Sequence, residues 1–156
     1  MGKAARGPCP AVRKGAGEGR TEGAAARQYP WGEEPDPERA NYRDTGIGAT
    51  SAVGCFPGGA SPDGVEDLSG NVWEWTRSLW GDEWQRPDFD YPYDPSDGRE
   101  NLSAGASVQR VLRGGSFYGA DYFVRCAYRN WDFPSSLWDY IGFRVVVAPF
   151  SPSSDL

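Results

Sequence analysis

The segment Asp67-Leu-Ser-Gly-Asn-Val-Trp-Glu-Trp75 decides the fold of this chain. Its first half holds Ser, Gly and Asn, which favour a turn, and its second half alternates bulky and polar side chains as a half-buried strand does. On such a strand the two Trp side chains share one face, and Val72 and Glu74 lie on the other. We therefore predict a turn that leads into a strand over Asn71–Thr76, with both indole rings in the core.

Two more strands are predicted further along the chain. Val108–Leu112 leads into a Gly-rich turn, and Gly142–Ala148 contains three consecutive Val residues that suit a buried position. Residues 79–106 are acidic, aromatic and interrupted by Pro, so they are predicted to form a long loop region. The 21 Gly and 13 Pro disfavour long helices. The sequence thus predicts a loop-rich α+β domain.

The length of 156 residues suits one domain rather than two. Residues 1–27 are rich in Gly, Ala and Arg and carry little apolar surface, so a flexible, poorly packed tail is predicted there. The domain is expected to span 28–150, with order beginning at Tyr29-Pro-Trp-Gly32, and 151–156 is expected to be a second tail. Residues 1–28 carry a net charge of +4 and the remainder carries −10.

Composition excludes several kinds of chemistry. The chain has no His, which removes Ser-His-Asp triads, His acid–base catalysis and His-ligated metals. Its three Cys residues (Cys9, Cys55 and Cys126) lack metal-ligand spacing. The acidic body argues against nucleic acid as a partner, and no apolar run is long enough to span a membrane. No secretory signal pattern is seen, so a cytoplasmic location is the default expectation.

Three segments, in this order, resemble the formylglycine-generating-enzyme (sulfatase-modifying-factor) family: Asp67–Trp75, Arg110–Phe117 and Gly142–Val146. Tyr29–Gly32 and Arg125–Arg129 fit the same pattern. The resemblance covers roughly residues 28–149 and implies a C-type-lectin-like fold. Because the family domain is longer at its N-terminus, the chain is expected to be N-terminally truncated or to begin with residues foreign to the domain.

The resemblance also locates the family's catalytic centre. Enzymes of this family use two of their own Cys residues, with copper, to oxidise a substrate Cys to formylglycine. The first of these positions matches Gly119 and the second falls near Phe123 or Val124, while Cys126 matches a further, non-catalytic Cys. Because a copper-binding thiolate pair needs sulfur, no copper is expected and oxidase activity is disfavoured.

Structural calcium is a further implication of the resemblance. The first candidate site combines the side chains of Asp67 and Glu74 around a cation-sized gap with the carbonyls of Gly70 and Val72, an oxygen donor set that Ca²⁺ prefers. The alternative is that Glu74 pairs with an Arg and Asp67 caps a turn. The second candidate site consists of Asn41, Tyr42, Asp44 and Gly46.

Residues 118–140 hold eight aromatic side chains without a regular period. Rigid rings mixed with Ser, Asn and Asp are typical of binding surfaces, although loop packing would also account for them. The candidate ligand-binding residues are Tyr118, Gly119, Ala120, Asp121, Tyr122, Phe123, Tyr128, Asn130, Trp131, Asp132, Phe133, Ser135, Ser136, Trp138, Asp139 and Tyr140. The rings expected to be exposed are those of Tyr118, Tyr122, Trp131, Trp138 and Tyr140. The rings of Phe117 and Phe143 are expected to be buried with those of Trp73 and Trp75.

The same segment resembles the variable region of retroelement-diversified proteins, in which adenines of the coding sequence are randomised. Arg125 and Arg129 are among the fixed residues that would frame it. Four Arg residues of the chain could bind anions, but in this family they look like internal struts that donate to loop carbonyls. These predicted struts are Arg113, Arg125, Arg129 and Arg144.

Two functions from different classes follow from these observations. The favoured one is a non-catalytic domain that binds a protein or other macromolecular ligand through residues 118–140 on a calcium-braced scaffold. The alternative is a formylglycine-generating oxidase homologue, or a fragment of one. Cys at the two catalytic positions would favour the enzyme, and their replacement favours the binding domain.

Overall fold

A four-stranded mixed sheet forms the centre of the domain in the computed structural model, which describes residues 27–147. Its strands are β1 (Trp73–Gly81), β2 (Gln109–Arg113), β3 (Asn130–Asp132) and β4 (Ile141–Gly142), in the order β3-β2-β1-β4. The tails predicted at 1–27 and 151–156 lie outside the described residues, apart from Arg27.

The register of the sheet joins the motif segments to one another. Strands β1 and β2 are antiparallel, with Trp75 opposite Leu112. Strands β2 and β3 are also antiparallel, with Val111 opposite Trp131. Strand β4 runs parallel to β1, with Ile141 opposite Trp73. Motif segments that are far apart in sequence therefore lie side by side in one sheet.

Strand β1 is longer than predicted. It begins at Trp73 and continues to Gly81, through residues that were expected to open the loop region. Register shifts on either side of Leu79 mark irregular pairing with β2, and the Leu79 amide donates to the carbonyl of Arg99 over 2.7 Å. The prediction for 79–81 was wrong because a distant loop, anchored by the buried Arg99, supplies the missing hydrogen-bond partner.

The core has two parts, and both depend on predicted anchor residues. Trp73 and Phe117 are buried as predicted, together with sheet residues of β1 and β2, and Trp75 is half-buried. A second cluster is formed by Tyr29, Ala40, Tyr42 and Val124, with Trp31 packed against it. Order therefore does include Tyr29–Gly32, where the Tyr29 and Trp31 rings stack at 5.4 Å.

Helical structure among residues 27–147 is limited to three short 3-10 turns at Arg43–Thr45, Pro57–Gly59 and Asp121–Val124. The α component of the predicted α+β class is therefore not found in this part of the chain, where Gly and Pro interrupt most segments between strands. In the same residues, no helix is long and apolar enough to cross a membrane.

The prediction of a buried strand over Gly142–Ala148 was wrong. Strand β4 consists of Ile141–Gly142 only, and Val145, Val146 and Val147 are 76%, 78% and 92% exposed. Phe143 is also exposed, contrary to the expectation that it joins the core. The reason is that β4 lies at the edge of the sheet, and no strand of the described chain pairs with residues 143–147.

Candidate functional site

Gly119 and Phe123, the latter one of two candidates for the second catalytic position of the family, lie close together. The short helix Asp121–Val124 follows Gly119 and folds Phe123 back towards it. A Cβ atom placed on Gly119 would lie 3.4 Å from the Cβ of Phe123, close to the ~3.8 Å mean separation of two disulfide-bonded Cys. Val124, the other candidate position, is instead fully buried in the second core cluster.

An open pocket of about 360 Å³ lies at this point. Glycine and alanine residues form part of its lining, aromatic rings form its walls, and the largely exposed side chain of Arg43 completes it. The lining residues are Arg43, Gly46, Gly48, Phe117, Tyr118, Gly119, Ala120, Tyr122 and Phe123. Sequence reasoning missed Arg43 and Gly48, because no local signal places residues 43–48 against residues 117–123. The contact is made by the Arg43 amide, which donates to the carbonyl of Gly119 over 2.9 Å.

Three near-parallel rings extend from the pocket wall across the surface, and we call Tyr118, Tyr140 and Trp138 the ring ladder. The Tyr118 and Tyr140 centroids are 6.3 Å apart with an interplanar angle of 19°. The Tyr140 and Trp138 centroids are 5.8 Å apart with an angle of 7°. Tyr118 is 75% and Trp138 53% exposed, so the ladder offers aromatic surface to a ligand.

The exposure prediction for residues 118–140 is confirmed in part. Tyr118, Tyr122 and Trp138 are exposed as expected, whereas Trp131 and Tyr140 are half-buried. The remaining predicted side chains divide between an exposed group (Phe133, Ser135, Asp139), a half-buried group (Asp121, Phe123, Tyr128, Asn130, Asp132, Ser136) and a buried pair (Gly119, Ala120).

Packing explains which rings turn inward. Phe123 and Tyr128 contact each other at 5.0 Å and both contact Trp73 at 5.9 Å, so they extend the core. Trp131 lies in β3 and contacts Trp80 of β1 at 6.5 Å. The segment is therefore partly core and partly surface, and its exposed rings are those of Tyr118, Tyr122, Phe133 and Trp138.

All four predicted Arg struts donate to loop carbonyls. Arg113 donates to Cys126, Arg125 to Tyr122 and Arg129 to Phe89. Arg144 donates to the carbonyls of Glu66 and Asp67. Burial lowers the pKa of Arg129, whose guanidinium lies over the rings of Trp80 and Tyr91. These Arg side chains hold the loops in place around the sheet, and the loops in turn support the surface that carries the ring ladder.

The residues of the first calcium prediction make hydrogen bonds with Arg144 and with a neighbouring turn. The Arg144 guanidinium donates to both carboxylate oxygens of Glu74, at 2.6 and 2.7 Å, and to the backbone carbonyl of Asp67. One Asp67 carboxylate oxygen accepts from the Gly54 amide over 2.8 Å. These contacts match the alternative interpretation, an Arg partner for Glu74 and a capped turn at Asp67, and a calcium ion would have to compete with Arg144 for Glu74.

The residues of the second predicted calcium site lie in a loop that is closed by hydrogen bonds. The buried Asn41 side chain donates to the Ala49 carbonyl over 2.9 Å and accepts from the Thr45 hydroxyl. The Tyr42 carbonyl accepts from Thr45, Gly46 takes the left-handed conformation that ends the short helix, and Asp44 pairs with Arg43. Among residues 27–147 no group of three or more acidic or Cys side chains could hold a metal ion.

Arg144 is expected to stabilise the fold strongly. Replacing Arg144 by Met should remove the Glu74 pair and two carbonyl contacts while keeping the stem, with a loss of about 2–3 kcal/mol. For a domain of this size the melting temperature (Tm) should fall by roughly 10 °C, measured by thermal unfolding. Arg77→Met is the control, because the exposed Arg77–Glu100 pair should contribute about 0.5 kcal/mol at most. Adding millimolar calcium to the wild type should leave Tm unchanged, and a clear rise would contradict the assignment of Glu74 to Arg144.

The fold and this site define a loop-rich, mixed-sheet domain whose loops are held by inward-pointing Arg side chains around an open aromatic pocket. The family model described as "Sulfatase-modifying factor enzyme 1-like domain" matches residues 3–149. The chain therefore belongs to this family, as the sequence motifs predicted.

Comparison with individual proteins identifies relatives of different kinds. Hercynine oxygenase of Mycolicibacterium thermoresistibile is 33% identical over 130 residues, which cover 76% of this chain and 26% of that protein. Inactive C-alpha-formylglycine-generating enzyme 2 of Mus musculus is 31% identical over 149 residues, covering 86% of this chain and 41% of that protein. The solved structure of Treponema denticola variable protein 1 superposes with a TM-score of 0.48 at 24% identity, covering 68% of this chain and 34% of that one. The chain thus spans well under half the length of each of these relatives.

Proposed function

We propose that this domain is a non-catalytic ligand-binding module that uses the pocket at Gly119 and the adjoining ring ladder. The observation that carries the proposal is that positions 119 and 123 retain the close spacing of a Cys pair but hold Gly and Phe. Neither side chain can bind copper or transfer electrons, whereas both line an apolar recess that suits a ligand. A relative at 31% identity is itself named an inactive enzyme, which supports loss of chemistry within the family.

The alternative function, a formylglycine-generating oxidase, is separated from the proposal by a direct assay. The purified chain, supplied with copper and a Cys-containing peptide, is expected to leave the peptide thiol unchanged as measured by mass spectrometry. Conversion of the peptide Cys to formylglycine would overturn the non-catalytic assignment.

Binding is tested separately by selection from a random displayed-peptide library. Selected peptides should bind the wild type and the control Trp84→Ser, which removes a comparably exposed indole from the loop after β1. They should lose binding to the double variant Tyr118→Ser/Trp138→Ser, because the ladder rings supply the anchoring surface. If the double variant binds the selected peptides as well as the wild type does, the ladder is not the binding surface.

We extend the proposal to diversification of this surface by a retroelement. Tyr122, Ser135 and Asp139 are positions that adenine randomisation reaches, and all three are exposed. The framing residues Arg125 and Arg129 instead hold loop carbonyls. Genomic sequencing is expected to reveal a reverse-transcriptase gene and a near-copy of the stretch that codes for residues 118–140. Their absence would remove this extension and leave the binding assignment in place.

A further inference from the structure

The ring ladder lies in a negatively charged part of the surface. Asp139 is exposed and separates Trp138 from Tyr140 in sequence. Asp132 is held in place because one of its carboxylate oxygens accepts from both the Ser136 hydroxyl and the Phe133 amide. After burial, the carboxylates of Asp132 and Asp139 are the main causes that raise the pKa of Tyr140. The negative charges of Asp132 and Asp139 are therefore felt at Tyr140, the central ring of the ladder.

The other charges of the described residues add to the negative charge near the ladder. Residues 27–147 hold eleven Arg and nineteen Asp or Glu, a net charge of −8. Several Arg side chains are directed into the domain, among them Arg99, Arg129 and Arg144. Arg43, the cation beside the pocket, is paired with Asp44 at 3.5 Å. A cationic ligand would therefore be attracted over a distance as well as at contact.

The domain already uses aromatic faces to hold cations internally. The Arg99 guanidinium lies 4.9 Å from the Tyr93 ring centroid, and the Arg129 guanidinium lies 5.4 Å from that of Trp80. Exposed Tyr and Trp faces next to carboxylates offer the same attraction to a cation from outside. A neutral apolar ligand would instead cover Asp132 and Asp139 without neutralising them, which opposes binding. An anionic ligand would be repelled.

We propose that the ring ladder, together with Asp132 and Asp139, binds the Lys and Arg side chains of a basic protein segment. This inference rests on the proposed function and names the chemistry of its ligand. The cationic head groups lie over the exposed faces of Tyr118 and Trp138, and the carboxylates neutralise them. The partner is therefore a protein segment of high positive charge, as opposed to an apolar or acidic one.

Octalysine carrying a neutral fluorescent dye is the probe, and its anisotropy is measured on titration with the full chain. Wild-type protein is expected to bind octalysine and not octaglutamate. Trp138→Ser should weaken octalysine binding about tenfold, as loss of an anchoring ring does, and Asp139→Asn about threefold, as loss of one close charge does. The matched controls Trp84→Ser and Asp63→Asn remove an exposed indole and an exposed carboxylate elsewhere, and they should bind octalysine like the wild type.

Two results would overturn the inference. The first is that the wild type does not bind octalysine. The second is that Asp63→Asn weakens octalysine binding as much as Asp139→Asn does, which would show that only the net charge of the domain attracts the peptide. The library selection separates this failure from failure of the proposed function. If the selected peptides require the ladder but carry no excess of Lys or Arg, the proposed binding function is supported and the inference of a basic ligand is rejected. If binding of octalysine and of every selected peptide is independent of the ladder, both the proposed binding function and the inference of a basic ligand are rejected.

Discussion

Replacing Gly70 by Ala is expected to lower the free energy of unfolding by about 3–5 kcal/mol, the largest effect of any change considered for this domain. Gly70 is buried in the motif turn before β1 and has a φ of +83°. A Cβ atom there would lie 2.4 Å from the Asn41 carbonyl oxygen, which accepts from the Asn71 amide. Since the obstruction is backbone, relief requires moving the loop that carries the buried Tyr42. Chemical denaturation monitored by Trp fluorescence measures the loss.

Gly64→Ala is the matched control for this prediction. Gly64 has a φ of +75°, and a Cβ atom placed on it would meet nothing within 4 Å. Its replacement should therefore cost only the left-handed backbone strain, about 1 kcal/mol. Equal losses for the two variants would show that the close approach of Gly70 to Asn41 does not limit stability.

The second large effect separates two Trp residues that the sequence treats alike. Trp131→Ser is expected to destabilise the domain by about 2–3 kcal/mol, since Trp131 lies in β3 and packs against Trp80 and Phe133. Trp138→Ser should cost less than about 1 kcal/mol, because its side chain is half exposed and its ring stacks on Tyr140 at the surface. Thermal unfolding of the single variants measures the difference.

Binding should show the opposite order for these two residues. Peptides that require the ladder should bind Trp131→Ser almost as well as the wild type at a temperature where both are folded, and should bind Trp138→Ser weakly. The structure corrects the expected exposure of Trp131, which is half-buried, and this measurement tests its predicted part in binding. A large stability loss for Trp138→Ser would place the ladder in the core and remove the main support for the binding function.

Much of the site could be predicted because it depends on short motifs. The turn at Asp67–Trp75 and the strand before Arg113 carry local patterns that belong to one family, and their order along the chain identified it. The same motifs matched the catalytic positions to Gly119 and to Phe123 or Val124, and the structure brings Gly119 close to Phe123. The four Arg struts followed from the family resemblance in the same way, and each donates to a carbonyl as expected.

The exposure of individual rings could not be predicted, because residues 118–140 have no regular period. Whether a ring is buried depends on what lies opposite it. Val111 and Trp80 lie opposite Trp131, and both are at least 20 residues away in sequence. Trp138 instead stacks on Tyr140, two positions away in sequence. Long-range contacts of this kind leave no local signal.

The sequence by itself determined the family and the central strands, and it predicted that Cys is absent from the positions that match the family's catalytic pair, since these depend on residue identity and on patterns within a few positions. Only the tertiary structure decided that Arg144 pairs with Glu74, that the Val145–Val147 run is exposed at a sheet edge, and that Tyr118, Tyr140 and Trp138 form one stack. The physical reason is that a side chain's role is set by its neighbours in space. Arg144 and Glu74 are 70 residues apart, and no local pattern indicates that they meet.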